Sequence, residues 1–289
     1  MQRPEELIPV AFLRPRSRIV VTLHGPQWLT VERTYGKVVG AAYRVLVAIG
    51  LFRADAVVFV SAALDEELES QYSWLRGKTI ILPPMFDSDV LSELPKEVAR
   101  TRLQIDRDSV VVLFCGRLNK EKNPLFLLEA VSELRKSVPS AFLLICGSGP
   151  EELAVRSRSR ILGVPIRIIS AVSPTEIPWL YACADILAIT SDYEGLPTVV
   201  LEALASRRPV VSRPLSGLDS LKTPRGAVQM IDDDRPSEFA RVAARMLESS
   251  IHGRLSFPEL EAYSYKAVAA RMLDVYYDLQ KRTDRGAGF

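Results

Sequence analysis

The chain has 289 residues, 48% of them hydrophobic and 25% charged, with a net charge of +2. That length accommodates one large or two ordinary domains with a sizeable core, and so even a charge balance implies no polyanion field, which sets nucleic acid aside as a partner. With two histidines and three cysteines (Cys115, Cys146 and Cys183), none in a Cys-x-x-Cys pair, neither a histidine-built metal centre nor a secreted disulfide scaffold is expected.

The opening residues, Met1-Gln2-Arg3-Pro4-Glu5-Glu6, do not read as a secretory leader. A strand is expected over 18–24, a helix over 35–52, a strand over 56–61, a helix from Ala62 and a strand over 78–83. The apolar stretch 38–64 is broken by Arg44, Arg53 and Asp55, well short of the roughly 20 residues that span a bilayer. The expected location is the cytoplasm, with peripheral contact at the inner face of a membrane left open. Residues 87–108 have mixed charge and fit a linker with a short helix. A second series follows. Strands are expected over 110–115, 141–146, 166–169, 184–190, 209–212 and 227–231, and helices over 124–136, 151–161, 174–183, 197–206, 237–248 and 265–281. This alternation indicates a parallel α/β layout.

Ligands of open α/β sheets bind beyond the C-terminal strand ends. Three loops there carry chemistry: Gly116 to Pro124, Gly147-Ser148-Gly149-Pro150, and Ser191 to Pro197. Proline suits a first helical position, so a helix is expected to start at Pro197, with Glu194 at its mouth and Glu202 facing sideways about two turns in. A helix start presents unpaired amides and partial positive charge, which favours an anion. A carboxylate beside that anion would repel it, but suits hydroxyls attached to it. A phosphate flanked by hydroxyls is the chemistry of a sugar nucleotide. On this reading Arg117 and Lys122 hold a diphosphate, Gly147 and Gly149 let backbone approach the ligand, and Glu194 and Glu202 accept from sugar hydroxyls.

Plainer readings stand beside these. Glu194 and Glu202 could be a cap and a solvated helix residue, Arg117 and Lys122 surface cations, and His24 a satisfied strand-end histidine. Asp87-Ser88-Asp89 has the Asp-x-Asp form of a metal–nucleotide site, yet it lies in the expected linker and reads as surface. Asp232-Asp233-Asp234 reads as a solvated turn, since the remaining spacing of a calcium loop is absent. The run Arg156-Ser157-Arg158-Ser159-Arg160 reads as an exposed helix face.

Residues 109–281 resemble the family 4 retaining glycosyltransferases. The resemblance rests on Gly116-Arg117-Leu118 with Lys122, on the Gly-x-Gly-Pro-Glu turn from Gly147 to Glu151, and on the Glu-x7-Glu signature from Glu194 to Glu202. It extends to Arg208-Pro209-Val210-Val211 and to the Tyr263–Tyr276 stretch, while Thr22-Leu23-His24-Gly25 is similar to a strand end of the family's first domain. Pro83-Pro84-Met85 is a poor copy of the family's Pro-Asn-Gly.

The resemblance implies a GT-B fold: two Rossmann-like domains facing a cleft, here 1–94 on the acceptor side and 95–289 on the donor side, the last helix (about 265–281) packing back on the first domain. It implies sugar transfer from a UDP-, GDP- or similar nucleotide-sugar to a glycan, lipid or small-molecule acceptor, with retained configuration and no obligatory metal. By residue, it implies that Arg117 and Lys122 stabilise the leaving diphosphate, beside Gly116, while Glu194 holds the donor sugar and Glu202 the ribose. The backbone of Gly195, Leu196, Pro197, Thr198 and Val199 would meet diphosphate or sugar, main chain near Ala171 and Val172 the base, and His24 the sugar from the opposite domain.

Two departures stand out. The first domain looks incomplete, which raises a fragment, a second polypeptide that completes it, or a short protein, and would leave a sheet edge and an apolar face open. A non-catalytic donor-binding module is therefore an alternative, and a GT-B-fold sugar-nucleotide epimerase a weaker one. Arg207 stands where the family usually has the glycine of a helix end, and a local adjustment is expected there.

Overall fold

The computed structural model describes residues 18–25, 27–87, 91, 94–219, 221, 223, 226–249 and 258–286. Two parallel sheets organise them. The first contains β1 (Val20–Leu23), β2 (Ala56–Phe59) and β3 (Thr79–Ile81), in that order, with Val57 opposite both Val21 and Thr79. All four residues of central β2 are buried. Helices α1 (Gln27–Tyr35), α2 (Lys37–Arg53) and α3 (Ala62–Gln71) accompany this sheet. The single helix expected over 35–52 is thus preceded by another. Gly36, at φ +89°, breaks the chain between the two, and the Trp28-to-Val31 stretch disguised α1 by its β-like composition. Val47 and Leu51 of α2 join the core under the sheet, while Val38, Val45, Ile49 and Phe52 are exposed.

The second sheet runs β6-β5-β4-β7-β8-β9, where β4 is Val110–Cys115, β5 Ala141–Cys146, β6 Ile166–Ile169, β7 Ile186–Ile189, β8 Val210–Ser212 and β9 Val228–Met230. Every pairing is parallel. This is the dinucleotide-fold order, in which the chain starts centrally, winds outward one way, then returns to wind the other. Helices α4 (Lys96–Arg102), α5 (Pro124–Leu134), α6 (Glu152–Leu162), α7 (Ile177–Cys183), α8 (Thr198–Ala205), α9 (Ser216–Asp219) and α10 (Pro236–Glu248) surround it.

The period-2 geometry of a strand sorts β4 between two cores. Val111 and Leu113 enter one cluster with Leu187 and Val210; Val112 and Phe114 enter the other with Leu143 and Ile145. Each such side chain contributes about 1.5–3 kcal/mol by leaving water. Asp185, just before β7, is held by buried charge pairing. Its Oδ2 accepts from Arg100 of α4 at 2.7 Å and from the amide of Val111 at 2.6 Å. That clamp fixes the start of β7 against β4.

The last helix, α11 (Tyr265–Gly286), lies against the first sheet: Phe86 bridges Ser264, and Arg271 donates to the carbonyl of Ile81 at 3.0 Å. Among the described residues no helix is long and apolar enough to cross a membrane.

The adjustment expected at Arg207 does not occur. Its φ is +58°, and the end of α8 closes with Arg207 N–H donating to Leu204 O at 2.9 Å and Arg208 N–H to Ala203 O at 2.7 Å. This pair of bonds is a Schellman closure, and arginine adopts the left-handed conformation that glycine would take at less cost.

Candidate active site in the cleft between the sheets

Strands β4 and β7 are neighbours, with Val112 opposite Ile186, and their following loops diverge over the crevice. After β4, Asn119 Oδ1 accepts from the Lys122 amide at 3.0 Å, and Asn123 caps α5 by accepting from Phe126 N–H at 3.3 Å. After β7, Thr190 Oγ1 donates to the Lys122 carbonyl at 2.8 Å, and the Asp192 amide donates to Glu121 O at 2.9 Å. These bonds lock the two loops together, which brings Lys122 Nζ into an ion pair with Glu194 Oε1. Ser191 Oγ donates to the same oxygen at 2.8 Å. The paired side chains are only 24% and 16% exposed, so solvent screens them less than a surface pair. Lysine carries three donors, so two remain for a ligand. Arg117 is exposed and makes no hydrogen bond or ion pair among the described residues.

Helix α8 begins one residue later than expected. Pro197 is its cap, with extended backbone, and Thr198 its first residue. Val200 N–H bonds back to Pro197 O, which leaves the amides of Thr198 and Val199 as free donors at the helix start. Glu202 is then about one turn in, not two.

A cleft of about 390 Å³ lies here, lined by His24, Gly116, Arg117, Lys122, Glu194, Leu196, Pro197, Thr198 and Val199 of the expected residues, together with Cys115 and Thr190. His24 stands at its mouth, at the end of β1. The cleft walls disfavour its charged form and lower its pKa below the usual 6.5, so it meets a ligand as neutral imidazole at pH 7. Gly195 sits where the two sheets' loops touch. A Cβ there would stand 2.6 Å from His24 O and 2.7 Å from Val60 Cγ2.

Gly147, Gly149, Val172 and Glu202 do not line this cleft. The two glycines were expected to admit a ligand, yet their close approaches are within the chain. A Cβ on Gly147 would meet Gly116 O at 1.9 Å, and one on Gly149 would meet Leu118 O at 2.3 Å. Val172 packs at the margin of the core beyond β6. Glu202 is half-buried behind the cleft wall, where Tyr181 Oη donates to its Oε2 at 2.6 Å.

Sequence reasoning missed an arginine clamp. Asp192 lies between Arg33 of α1, at 2.7 Å, and Arg213 after β8, at 2.6 Å. Arg33 also stacks over Tyr193, 4.9 Å from its centroid, so the first sheet's helix grips the loop that carries Glu194. Only the adjacency of Asp192 and Tyr193 to Glu194 could have drawn attention to this. The other acidic and basic runs are ion-paired surface: Asp233 with Arg235, Asp234 with Arg213, Arg156 with Glu152 and Arg158 with Glu129. Ser88 and Asp89 of the Asp-x-Asp run lie outside the described residues.

The comparisons with known proteins agree with this architecture. The model of the family "Glycosyl transferases group 1" matches residues 95–266. D-inositol 3-phosphate glycosyltransferase of Corynebacterium aurimucosum is 28% identical over 242 residues, covering 78% of this chain and 57% of that protein. The putative teichuronic acid biosynthesis glycosyltransferase TuaC of Bacillus subtilis is 32% identical over 213 residues, covering 70% and 48%. The chain thus spans about half the length of the curated relatives it matches. The crystal structure of Anabaena HepE in complex with UDP-glucose superposes with a TM-score of 0.81, covering 96% of this chain and 77% of that one at 18% identity, a likeness of fold. The family match extends over more than half of the chain, and with the paired parallel sheets it leads to one assignment: this chain belongs to the glycosyl transferases group 1 family and has the α/β GT-B fold.

Proposed function

We propose that the chain transfers a sugar from a nucleotide-diphospho-sugar to a glycan, lipid or small-molecule acceptor with retention of configuration. The observation that carries this is the Lys122–Glu194 pair at the mouth of α8, beside free Arg117 and two free helix amides. As the donor's sugar–oxygen bond breaks, negative charge grows on the diphosphate. Arg117, Lys122 and the amides of Thr198 and Val199 are the groups proposed to take up that charge. Such an arrangement supplies what a metal would otherwise give, so no obligatory metal is part of the proposal. Glu194, oriented by Ser191 and Lys122, accepts from donor-sugar hydroxyls. Glu202 accepts from the ribose, and neutral His24 contacts the sugar from the opposite side. The three free thiols suit a reducing compartment, and the proposed setting is the cytoplasm.

The test is incubation with UDP- and GDP-sugars and an acceptor panel, reading nucleotide release, sugar transfer and product anomer. Lys122→Ala is expected to lower turnover by about 10²–10³. Failure to bind any nucleotide or sugar nucleotide refutes the proposal. A second reading, a donor-binding module that a second polypeptide completes, rests on a first sheet that shows three strands among the described residues. Donor binding without transfer, with transfer restored by that polypeptide, would favour it.

A further inference from the structure

We infer that Tyr181 is a positioning residue that aims Glu202 at the donor's ribose and thereby sets discrimination between ribose and deoxyribose. The inference rests on the proposed role of Glu202 as the ribose carboxylate.

Tyr181 is fully buried on α7, with 0% of its surface exposed. A buried phenol needs a hydrogen-bond partner, and a backbone carbonyl would serve. Here the partner is instead a carboxylate on another helix, Glu202 Oε2 at 2.6 Å. Glu202 Oε1 has no partner among the described residues. One oxygen is therefore fixed and the other is left for a hydroxyl from outside. The Cys115 thiol is a neighbour of this phenol. Cys115 is itself held opposite Cys146 in the β4–β5 register and lines the cleft. Tyr181 thus neighbours a residue of the cleft wall as well as the carboxylate it bonds.

The hydrogen bond also acts on charge. Burial raises the Glu202 carboxyl pKa, and the Tyr181 hydroxyl opposes that rise. The hydroxyl therefore both orients Glu202 and favours the ionised form, which accepts from sugar hydroxyls. A carboxylate left to rotate would still touch ribose, but with less advantage over a sugar that lacks those hydroxyls.

The rival account is a plain structural tie between α7 and α8. It predicts lost stability with no change in ligand preference. The deciding experiment titrates wild type, Tyr181→Phe and Glu202→Ala with UDP or GDP, whichever wild type binds, and with its 2′,3′-dideoxy counterpart. The readout is the ratio of the two affinities within each protein. Both ligands meet the same folded population, so partial unfolding leaves the ratio intact. Wild type is expected to favour the ribose form, Glu202→Ala to bring the ratio near one, and Tyr181→Phe to lower it about tenfold with dideoxy affinity unchanged. A ratio unchanged in Tyr181→Phe, while Glu202→Ala collapses it, overturns the inference. Absence of any wild-type preference, or its survival in Glu202→Ala, overturns the ribose role of Glu202, and the inference with it.

Discussion

Replacing Gly195 with alanine tests whether backbone contact between the two sheets sets the position of Glu194. The added Cβ would stand 2.6 Å from His24 O and 2.7 Å from Val60 Cγ2, where ordinary contact begins at 3.4 Å. Gly195 is not among the positive-φ residues, so the penalty comes from this contact alone. The Val60 side chain can turn aside. The carbonyl of His24 ends β1 and cannot. Relief therefore requires the loop and the strand end to part by about 0.8 Å. Overpacking of that kind costs about 1–3 kcal/mol. A shift of this size at a reacting centre costs about 10²-fold in rate, and Glu194 is the adjoining residue. The expected outcome for Gly195→Ala is a lower melting temperature and turnover reduced by one to two orders of magnitude (roughly, by those same rules), with Lys122 still able to bind nucleotide. Wild-type turnover and melting temperature in the purified variant would refute the reasoning, because no rearrangement of side chains alone relieves the clash.

Other expectations follow from the same geometry. Arg207→Gly should stabilise the protein by about 0.5–1 kcal/mol in urea unfolding, since glycine accepts a φ of +58° without strain; a destabilised variant would contradict the account of the α8 terminus. Arg117→Ala should weaken nucleotide binding without lowering the melting temperature. Lys122→Ala should lower both, because it strands Glu194 at 16% exposure without its cation, a loss of about 1–3 kcal/mol. Equal stability losses in the two variants would count against this. The Glu202 carboxyl has a folded pKa above its ordinary 4.5. Its contribution to stability is therefore complete below that value and is lost as pH rises through the raised one. Glu202→Gln should match wild type near pH 4 and become the more stable protein toward neutrality; thermal scans across that range check the sign.

The second sheet was legible because its central strands are largely buried and read as unbroken apolar runs, such as Val110 to Phe114 and Ile186 to Ile189. The loops that carry Arg117, Lys122 and Glu194 were legible for a related reason: topology places them beyond adjacent strand ends. What stayed hidden depends on contacts between distant segments. The Arg33–Asp192 pair joins residues 159 positions apart, and Tyr181 meets Glu202 across two helices; neither leaves a local pattern. At Gly147 and Gly149 the structure shows a packing need for glycine, a neighbouring carbonyl against each, that the sequence does not reveal. The expected depth of two turns for Glu202 was a miscount, since even a start at Pro197 places it under about one and a half turns in.

The order of the second sheet has a consequence for how the cleft comes into being. Strand β4 meets β5 across a single intervening helix, but it meets β7 only after β5, β6 and three helices have passed, with Val111 bonded to Asp185 across 74 positions. Closing a loop of that length sacrifices more chain entropy than pairing β4 with β5, and long-range parallel pairing is slow to form. The crevice that joins Lys122 to Glu194 is thus created by the most distant pairing of the central strand. A chain arrested earlier would hold β4, β5 and β6 with the helices between them and no crevice between β4 and β7.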